Sequence, residues 1–523
     1  MKPKRPVVPA NIPLTPGLRR YLYVTAAVTG AAIMIVEILG AKMLAPYLGT
    51  SHFVWTAQIA VTLVALACGY YIGGRWVDRS PQLGRLYGAI AAAAVYLCVS
   101  VLVCEPVAYQ CLEFELPVGS LLASAFLFFV PLGLLAMVGP FFVRMLTGSV
   151  ETVGGNVGRL TAISTAGSVV GTVLIGYVLI PFLPNSVTMY LTALALMAVA
   201  VGYFAGPARK VSKLAPILLV VALGAGTGYA GVHRDRMHNE GVHELYRANS
   251  NFGQLQVVEW DEEPARRSYL NDFLNQNSYD PKERKSVSMY TYMLHGLARA
   301  YTPRIADALC IGLGVGIVPS ELARDGARVD VVEINPAVLP VGVKYFDLEP
   351  QKLNIHFGDG RYFVSRCQKR YDTIILDAFL GDSSPSHLFT REAFMAMRRL
   401  LRAGGTLVIN IFGATSGEDT FFTASLAKTL GAVFQSVRIH QAGNGNTFLV
   451  AANQPTLTLR QKPDMERVHP NSRRLVTQAF SSLVAVNLDS GIVLTDDYNP
   501  VDFYDAKNRE RLRRYLALQM KDE

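Results

Sequence analysis

Cysteine is scarce in this chain. Its 523 residues hold six, Cys68, Cys98, Cys104, Cys111, Cys310 and Cys367, with no Cys-x-x-Cys pair and no histidines at zinc spacing. That pattern argues against a disulfide scaffold and against a metal site. Charge is scarce too: 17% of residues are charged, against roughly a quarter in soluble domains, and mean hydropathy is +0.27. A formal net charge of +9 raises the question of nucleic acid. Much of the Lys and Arg, however, sits in short loops beside apolar runs, where membrane topology accounts for it, so no nucleic-acid partner is expected. The basic, Pro-rich start MKPKRPVVPANIPLTPGLRR has no small-residue cleavage site after a short apolar core. Residues 1–20 therefore read as a tail and not as a cleaved signal.

The excess apolar residues lie in the first half. Segments near 21–44, 53–73, 86–104, 120–145, 160–182, 187–205 and 214–231 are each long enough to cross about 30 Å of hydrocarbon as a helix. The expectation is a transmembrane bundle over 21–231 with seven spans, in which neighbouring helices satisfy the backbone groups freed by Pro131 and Pro140. Lys2, Lys4, Arg5, Arg19, Arg20, Arg75, Arg79, Arg85, Arg144, Arg159, Arg209, Lys210 and Lys213 fall on one side, whereas the opposite loops carry Lys42 beside Glu105, Glu113 and Glu115. This bias predicts a multi-pass protein of a bacterial-type inner membrane with a cytoplasmic N-terminus. Seven crossings would leave the second half outside. Either the last segment does not cross, or 120–145 is not a simple span, or the second half works outside. Glu37 is an ionisable group within the first span, a reason to expect contact with a cationic solute; an ion pair with Lys42 or Arg75 is the plainer account. Gly73-Gly74-Arg75-Trp76-Val77-Asp78-Arg79 resembles a cytoplasmic loop of major facilitator transporters, and the spans look like half of such a transporter.

From 242 to about 281 the pattern shifts to short alternating runs, Gln254-Leu255-Gln256-Val257-Val258 and Arg267-Ser268-Tyr269-Leu270, with Asn271-Asp272 as a turn, which predicts a small β-subdomain over 242–285. A helix is expected over 288–300. Strands at 328–333, 353–358, 373–376, 406–411, 437–440 and 447–451 then alternate with helices starting near Pro336, Arg361, Thr390 and Thr420. Such alternation predicts an α/β domain over 286–523 with a mostly parallel, Rossmann-like sheet covered on both faces. The late strand pair around Gly443-Asn444-Gly445 supplies one antiparallel member, so the sheet resembles that of S-adenosylmethionine-dependent methyltransferases.

Residues 308–377 carry the sharpest signal. An apolar run opens into Gly312-Leu313-Gly314-Val315-Gly316, a helical pattern follows, and a second apolar run ends in Glu333, the order of a nucleoside-binding βαβ unit. Glu333 lies about 20 residues past the glycines, where a carboxylate accepts ribose hydroxyls. Asp359-Gly360 follow a third strand and Asp377 a fourth, so three acids are expected to rim one crevice at the strands' carboxyl ends. Glu333 and Asp359 also suit helix caps at strand–helix turns, and Asp382 suits a turn former as well as it suits a site. Glu333 and Asp377 together, expected in register on neighbouring strands, favour a site. His295 and His387 read as isolated histidines.

Several segments, in order and spacing, resemble the spermidine synthases (polyamine aminopropyltransferases), in the branch fused to a membrane-embedded half. They are Glu37-Ile38-Leu39-Gly40-Ala41-Lys42-Met43-Leu44-Ala45-Pro46-Tyr47, Leu179-Ile180-Pro181, Phe252-Gly253-Gln254, Leu270-Asn271-Asp272-Phe273-Leu274-Asn275-Gln276, Tyr290-Thr291-Tyr292-Met293-Leu294, the run from Tyr371 to Asp377, and Thr495-Asp496-Asp497-Tyr498-Asn499-Pro500. The resemblance implies an aminopropyl transfer from decarboxylated S-adenosylmethionine to a di- or polyamine such as putrescine, with no metal. It implies Asp377 as the catalytic acid, Gly312, Gly314, Gly316, Glu333, Asp359 and Gly360 around the donor's nucleoside, and Gln254, Tyr290 and Asp382 toward the acceptor. A polyamine and a lipid bilayer are the implied partners, with a homodimer as a further expectation. This chain departs from the family at Val315, where an Asp is usual, at Tyr292, where a Glu is usual, and at Leu380, where a second acid is usual. Two other readings therefore stay open: a methyltransferase using intact S-adenosylmethionine, and a non-catalytic nucleoside- or polyamine-binding membrane sensor or transporter-like protein.

Overall fold

The computed structural model describes residues 15–49, 51–147, 152–206, 222, 224, 226–229, 241–250, 252–261, 265–272, 274–379, 385–417, 419–441 and 445–504. The chain divides into two compact units, residues 1–48 with 53–235, and residues 49–52 with 236–523.

In the first unit six helices are long and apolar enough to cross a membrane: α1 (Pro16–Leu48), α2 (His52–Arg79), α3 (Leu83–Cys111), α4 (Leu116–Leu146), α5 (Val153–Phe182) and α6 (Asn185–Ala205). They match six of the seven expected segments; the seventh, 214–231, lies largely outside the described residues. The expected tail is shorter than 1–20, because α1 already begins at Pro16. Small residues set the helix contacts. Gly167 and Gly171 of α5 sit against the backbone at Ala27 and Ala31 of α1, and Gly69 of α2 against Gly133 of α4, so backbones approach where a side chain would hold them apart.

Helix α4 is not regular throughout. It widens into a π turn at Ala125–Phe129, and α5 does the same at Ile175–Leu179. Each π turn contains the residue four positions before a proline, Leu127 before Pro131 and Tyr177 before Pro181. Proline returns no N–H to that carbonyl and its ring crowds it, so the turn opens. The Leu127 carbonyl accepts from the Ser100 hydroxyl of α3 at 2.8 Å, so a neighbouring helix supplies a donor where proline cannot.

The second unit holds two sheets. Strands β1 (Val242–Ser250), β2 (Gly253–Trp260), β3 (Arg266–Asn271), β4 (Leu274–Asp280) and β5 (Lys285–Ser286) form an antiparallel meander in sequence order, and Asp272 makes the β3–β4 turn with φ +46°. After α7 (Met289–Tyr301) come β6 (Asp307–Ile311), α8 (Ile317–Arg324), β7 (Arg328–Glu333), α9 (Val338–Tyr345), β8 (Asn354–Phe357), α10 (Gly360–Arg366), β9 (Tyr371–Leu376), α11 (Arg391–Leu400), β10 (Leu401–Phe412), α12 (Phe421–Gly431), β11 (Ser436–Gln441), β12 (Asn446–Ala452) and α13 (Arg473–Ser481). The second sheet runs β11-β12-β10-β9-β6-β7-β8, and β12 alone is antiparallel to its neighbours.

Strand alternation builds two cores. Ala308 and Cys310 of β6 face one cluster with Met293 and Leu297 of α7, Leu322 of α8 and Val476 of α13. Leu309 and Ile311 face another with Val364 of α10, Phe394 of α11 and Leu426 of α12. A two-residue side-chain period on a strand buried on both faces gives this split. The meander joins the same unit through Leu255, Val257, Tyr269 and Tyr279, which pack on Val338 and Val341 of α9.

Ser100 supplies a test of the proline account. Ser100→Ala removes the donor that α3 gives the Leu127 carbonyl and is expected to lower unfolding stability in detergent by about 1 kcal/mol. Thr172→Ala, which removes only a bond to its own helix at Ser168, should cost clearly less. Equal losses would mean that the freed carbonyl gains nothing from α3.

Candidate active site

β6 lies between β7 and β9, and the chain reverses its direction of travel across the sheet at this strand, so the turns leaving β6 and β9 part and open a crevice. The ladder runs one residue past the strands: Gly312 N–H donates to Val332 O at 2.8 Å and Asp377 N–H to Ile311 O at 3.0 Å. Gly312, Glu333 and Asp377 therefore reach the same level. Glu333 and Asp377 are not on neighbouring strands as expected, since β6 separates them; the reversal makes both neighbours of the glycine turn instead.

The glycines of this turn do different things. Gly312 has φ +101°, and a Cβ there would collide with the Asp377 carbonyl oxygen, so the acid's approach to the turn depends on glycine. Gly316 caps α8 at φ +86° and packs on Leu348; it is not part of the crevice wall. Gly314 is, with open space over its Cα.

Each acid has a defined set of partners. Glu333, 8% exposed, accepts from Leu313 N–H at 2.8 Å and Asn335 N–H at 2.7 Å, and so ties the glycine turn to the end of β7. Burial raises its pKa, and these N–H groups oppose the rise. Asp359 caps α10 through Tyr362 N–H at 2.8 Å, and its other oxygen lies 3.0 Å from His387 Nε2. Both residues, with Gly360, line the crevice, so His387 is not the isolated histidine expected.

Asp377 accepts from Asn410 Nδ2 at 3.0 Å, and Asn410 Oδ1 accepts from Asn446 Nδ2 at 3.1 Å. The two amides are 3% and 4% exposed. Asn446 thereby orients Asn410 with its N–H toward the carboxylate. Burial pushes the Asp377 pKa up to about 6, with the Asn410 bond opposing.

The far wall comes from the meander. The Tyr290 hydroxyl donates to Gln276 O at 2.8 Å and accepts from Asn277 Nδ2 at 3.2 Å; burial and the Asp377 charge raise its pKa. Gln254 is not brought to the crevice, its Nε2 donating instead to Asn249 Oδ1 at 3.2 Å. Asp382 and Leu380 lie outside the described residues. Glu37 belongs to the first unit. In Gln254's place stand Asn271, Asn275, Gln276 and Asn277. Three amides in succession within a strand, where Asn is disfavoured, were the available signal. The whole crevice holds about 1060 Å³ of atom-free space, its open mouth included, enough for a nucleoside and a short chain.

A seven-stranded, mostly parallel sheet with one reversed strand and a glycine turn at the switch point is the fold of the spermidine synthase and methyltransferase type. Residues 287–440 match the family described as the spermine/spermidine synthase domain. A polyamine aminopropyltransferase from Vibrio vulnificus is 30% identical over 238 residues, covering 43% of this chain and 77% of that protein. The chain belongs to the polyamine aminopropyltransferase family. An N-terminal histidine N-methyltransferase from Emericella nidulans is 35% identical over 150 residues, 28% of this chain and 26% of that protein. The crystal structure of spermidine synthase from Thermotoga maritima is similar with TM-score 0.36 and 18% identity, covering 47% of this chain and 85% of that one.

Two outcomes follow from this geometry. Gly312→Ala should unfold or displace the turn, whereas Gly314→Ala, which meets open space but sits at φ +51°, should cost only about 1–2 kcal/mol of backbone strain and weaken nucleoside binding measured by calorimetry. The second concerns Asp377, whose folded pKa of about 6 stands above its ordinary 3.8. A raised acid pKa costs stability as pH climbs from 3.8 through 6. Asp377→Asn, free of that cost, should melt above the parent at pH 7–8, and the advantage should vanish near pH 4; a constant difference at all pH values would remove burial as its cause.

Proposed function

We propose that this chain is a membrane-bound aminopropyltransferase that moves the aminopropyl group of decarboxylated S-adenosylmethionine to a di- or polyamine such as putrescine. The observation that carries the reading is Asp377, half-buried beside the glycine turn and held by Asn410, on a chain whose relative from Vibrio vulnificus is a polyamine aminopropyltransferase. The donor's nucleoside lies over Gly312 and Gly314, with its ribose at Glu333 and its base toward Asp359-Gly360. The neutral acceptor nitrogen attacks the methylene carbon bound to the sulfonium, a C–N bond forms as the C–S bond breaks, and the sulfur leaves as the neutral thioether methylthioadenosine. Asp377 orients the amine and takes the proton it loses. Tyr290 and the amides of the far wall hold the rest of the acceptor. The six apolar helices keep the enzyme in the inner membrane, with the N-terminus cytoplasmic.

A second reading, methyl transfer from intact S-adenosylmethionine, draws on Val315 in the glycine turn and on the fungal N-methyltransferase. The two readings differ in their product. Incubating detergent-purified protein with each donor and a panel of amines should yield methylthioadenosine with the decarboxylated donor; S-adenosylhomocysteine instead would select methyl transfer, and neither product would sink both. With Asp377→Asn, turnover should fall by about 10²–10⁴ while nucleoside affinity holds. In the parent, kcat/KM should decline below pH 6 as the carboxylate takes up a proton, and that limb should be lost in the variant. Membrane residence predicts that the chain resists carbonate extraction and is released only by detergent.

A further inference from the structure

The run Thr495-Asp496-Asp497-Tyr498-Asn499-Pro500 lies behind the crevice and not in its wall, yet its path is fixed at both ends. Leu494 and Val501, each 0% exposed, sit in the core with Phe394 of α11 and Leu426 of α12. Arg391 N–H donates to Leu494 O at 2.8 Å, and Asp496 N–H to Glu392 Oε2 at 3.0 Å. With its apolar ends buried, the polar stretch between them crosses the surface, and two of its side chains reach the back of the crevice.

Asp496 meets two walls at once. One oxygen accepts from Arg361 Nη2 at 2.7 Å and the other from the Thr390 hydroxyl at 2.6 Å, and Arg361 Nη1 also donates to that hydroxyl at 3.3 Å. Arg361 follows Gly360 at the start of α10. Thr390 closes the loop that brings Pro385, His387 and Leu388 to the crevice, and Asn499 Nδ2 donates to Ser386 O of the same loop at 2.8 Å. The walls also touch at the front, where a Cβ on Gly360 would lie 3.5 Å from Leu388 Cδ1 and His387 lies 3.0 Å from Asp359. Neither segment belongs to a strand, so side chains and not sheet pairing set the gap between them. A lone exposed ion pair would fix little. Here Thr390 is 2% exposed and caps α11, and Asn499 Oδ1 accepts from Val501 N–H at 3.2 Å, so both contacts are anchored in buried structure.

We propose that Asp496 and Asn499 are positioning residues for the nucleobase. They clamp the turn at Asp359–Arg361 to the loop at 385–390, and so set the width of the base end of the crevice and the aim of the Asp359 carboxylate at an exocyclic amine. Neither side chain touches the ligand. A carboxylate suits this task because its two oxygens accept from two walls at the same time. The inference rests on the reading of this crevice as an adenosine site and holds whichever group the donor transfers.

Methylthioadenosine and its deaminated analogue methylthioinosine are the probes, titrated by calorimetry into detergent-purified full-length protein. The parent should prefer the amino form, because Asp359 accepts from an exocyclic N–H and meets only a carbonyl in the analogue. Asp496→Asn removes the charge facing Arg361. Asn499→Asp keeps the bond from Val501 and loses the donor to Ser386. Each should weaken methylthioadenosine about five- to tenfold and methylthioinosine far less, so that the preference shrinks; Asp496→Glu should recover part of it. Glu333→Gln, at the ribose, should weaken both nucleosides alike and leave the preference intact. Melts without nucleoside show that each variant is folded. Unchanged affinities in Asp496→Asn and Asn499→Asp, or an equal loss for both nucleosides, would overturn the proposal and leave the nucleoside reading standing. Binding of neither nucleoside by the parent would sink that reading and the proposal with it.

Discussion

The placement of β6 between β7 and β9 is the constraint from which the active-site geometry follows. Backbone bonds from Gly312 to Val332 and from Asp377 to Ile311 extend the ladder one residue past the strands on both sides of β6. The glycine turn is thereby locked between two acids before any ligand arrives. A slip of one residue in either pairing would turn Asp377 or Glu333 to the opposite face of the sheet. The two hydrophobic cores oppose such a slip, because Leu309 and Ile311 would exchange places with Ala308 and Cys310.

Register is also held from the other end of the sheet. Asp307, 1% exposed at the start of β6, bonds Arg328 at the start of β7 and Arg402 on β10, both at 2.8 Å. These partners, Arg328 first, hold its carboxyl far below the usual range. Acids at opposite ends of the sheet therefore have opposite characters. Asp307 is paired with guanidinium groups and stays charged, whereas Asp377 is met only by a neutral amide and is pushed up to about 6. The first arrangement serves stability, and the second gives stability up as pH climbs through about 6.

Much of this was legible in the sequence where a residue type has one main structural use. Glycines at 312, 314 and 316, an acid ending each apolar run and a paired late strand sufficed for the mostly parallel sheet, but not for the strand order that puts β6 between Glu333 and Asp377. Legibility failed where a residue acts through distant partners. Nothing local to Asn410 or Asn446 shows that they are diagonal neighbours on β10 and β12, bonded in series to Asp377. His387 looked isolated because Asp359 is 28 positions away. Gln254 drew attention in a promising segment, yet the wall is built by the opposite end of the meander. In the helical unit Pro131 announced freed backbone groups, but only the packing of α3 shows that Ser100 answers one of them.

Glu333 shows how a structural role and a binding role share one side chain. A carboxylate has about four acceptor positions. Two are taken by short bonds from Leu313 and Asn335, and these hold the glycine turn in the empty site. The N–H groups of Gly314 and Ile334 also favour its charged form, but they make no comparably short bond. A sugar diol at the carboxylate would replace these looser donors and leave the two short bonds intact. Under the proposed reading, donor binding then needs no rearrangement of the turn, and the acid that shapes the empty crevice is the one that recognises what fills it. The helix-cap account of Glu333 and the ribose account are in this way two uses of the same lone pairs.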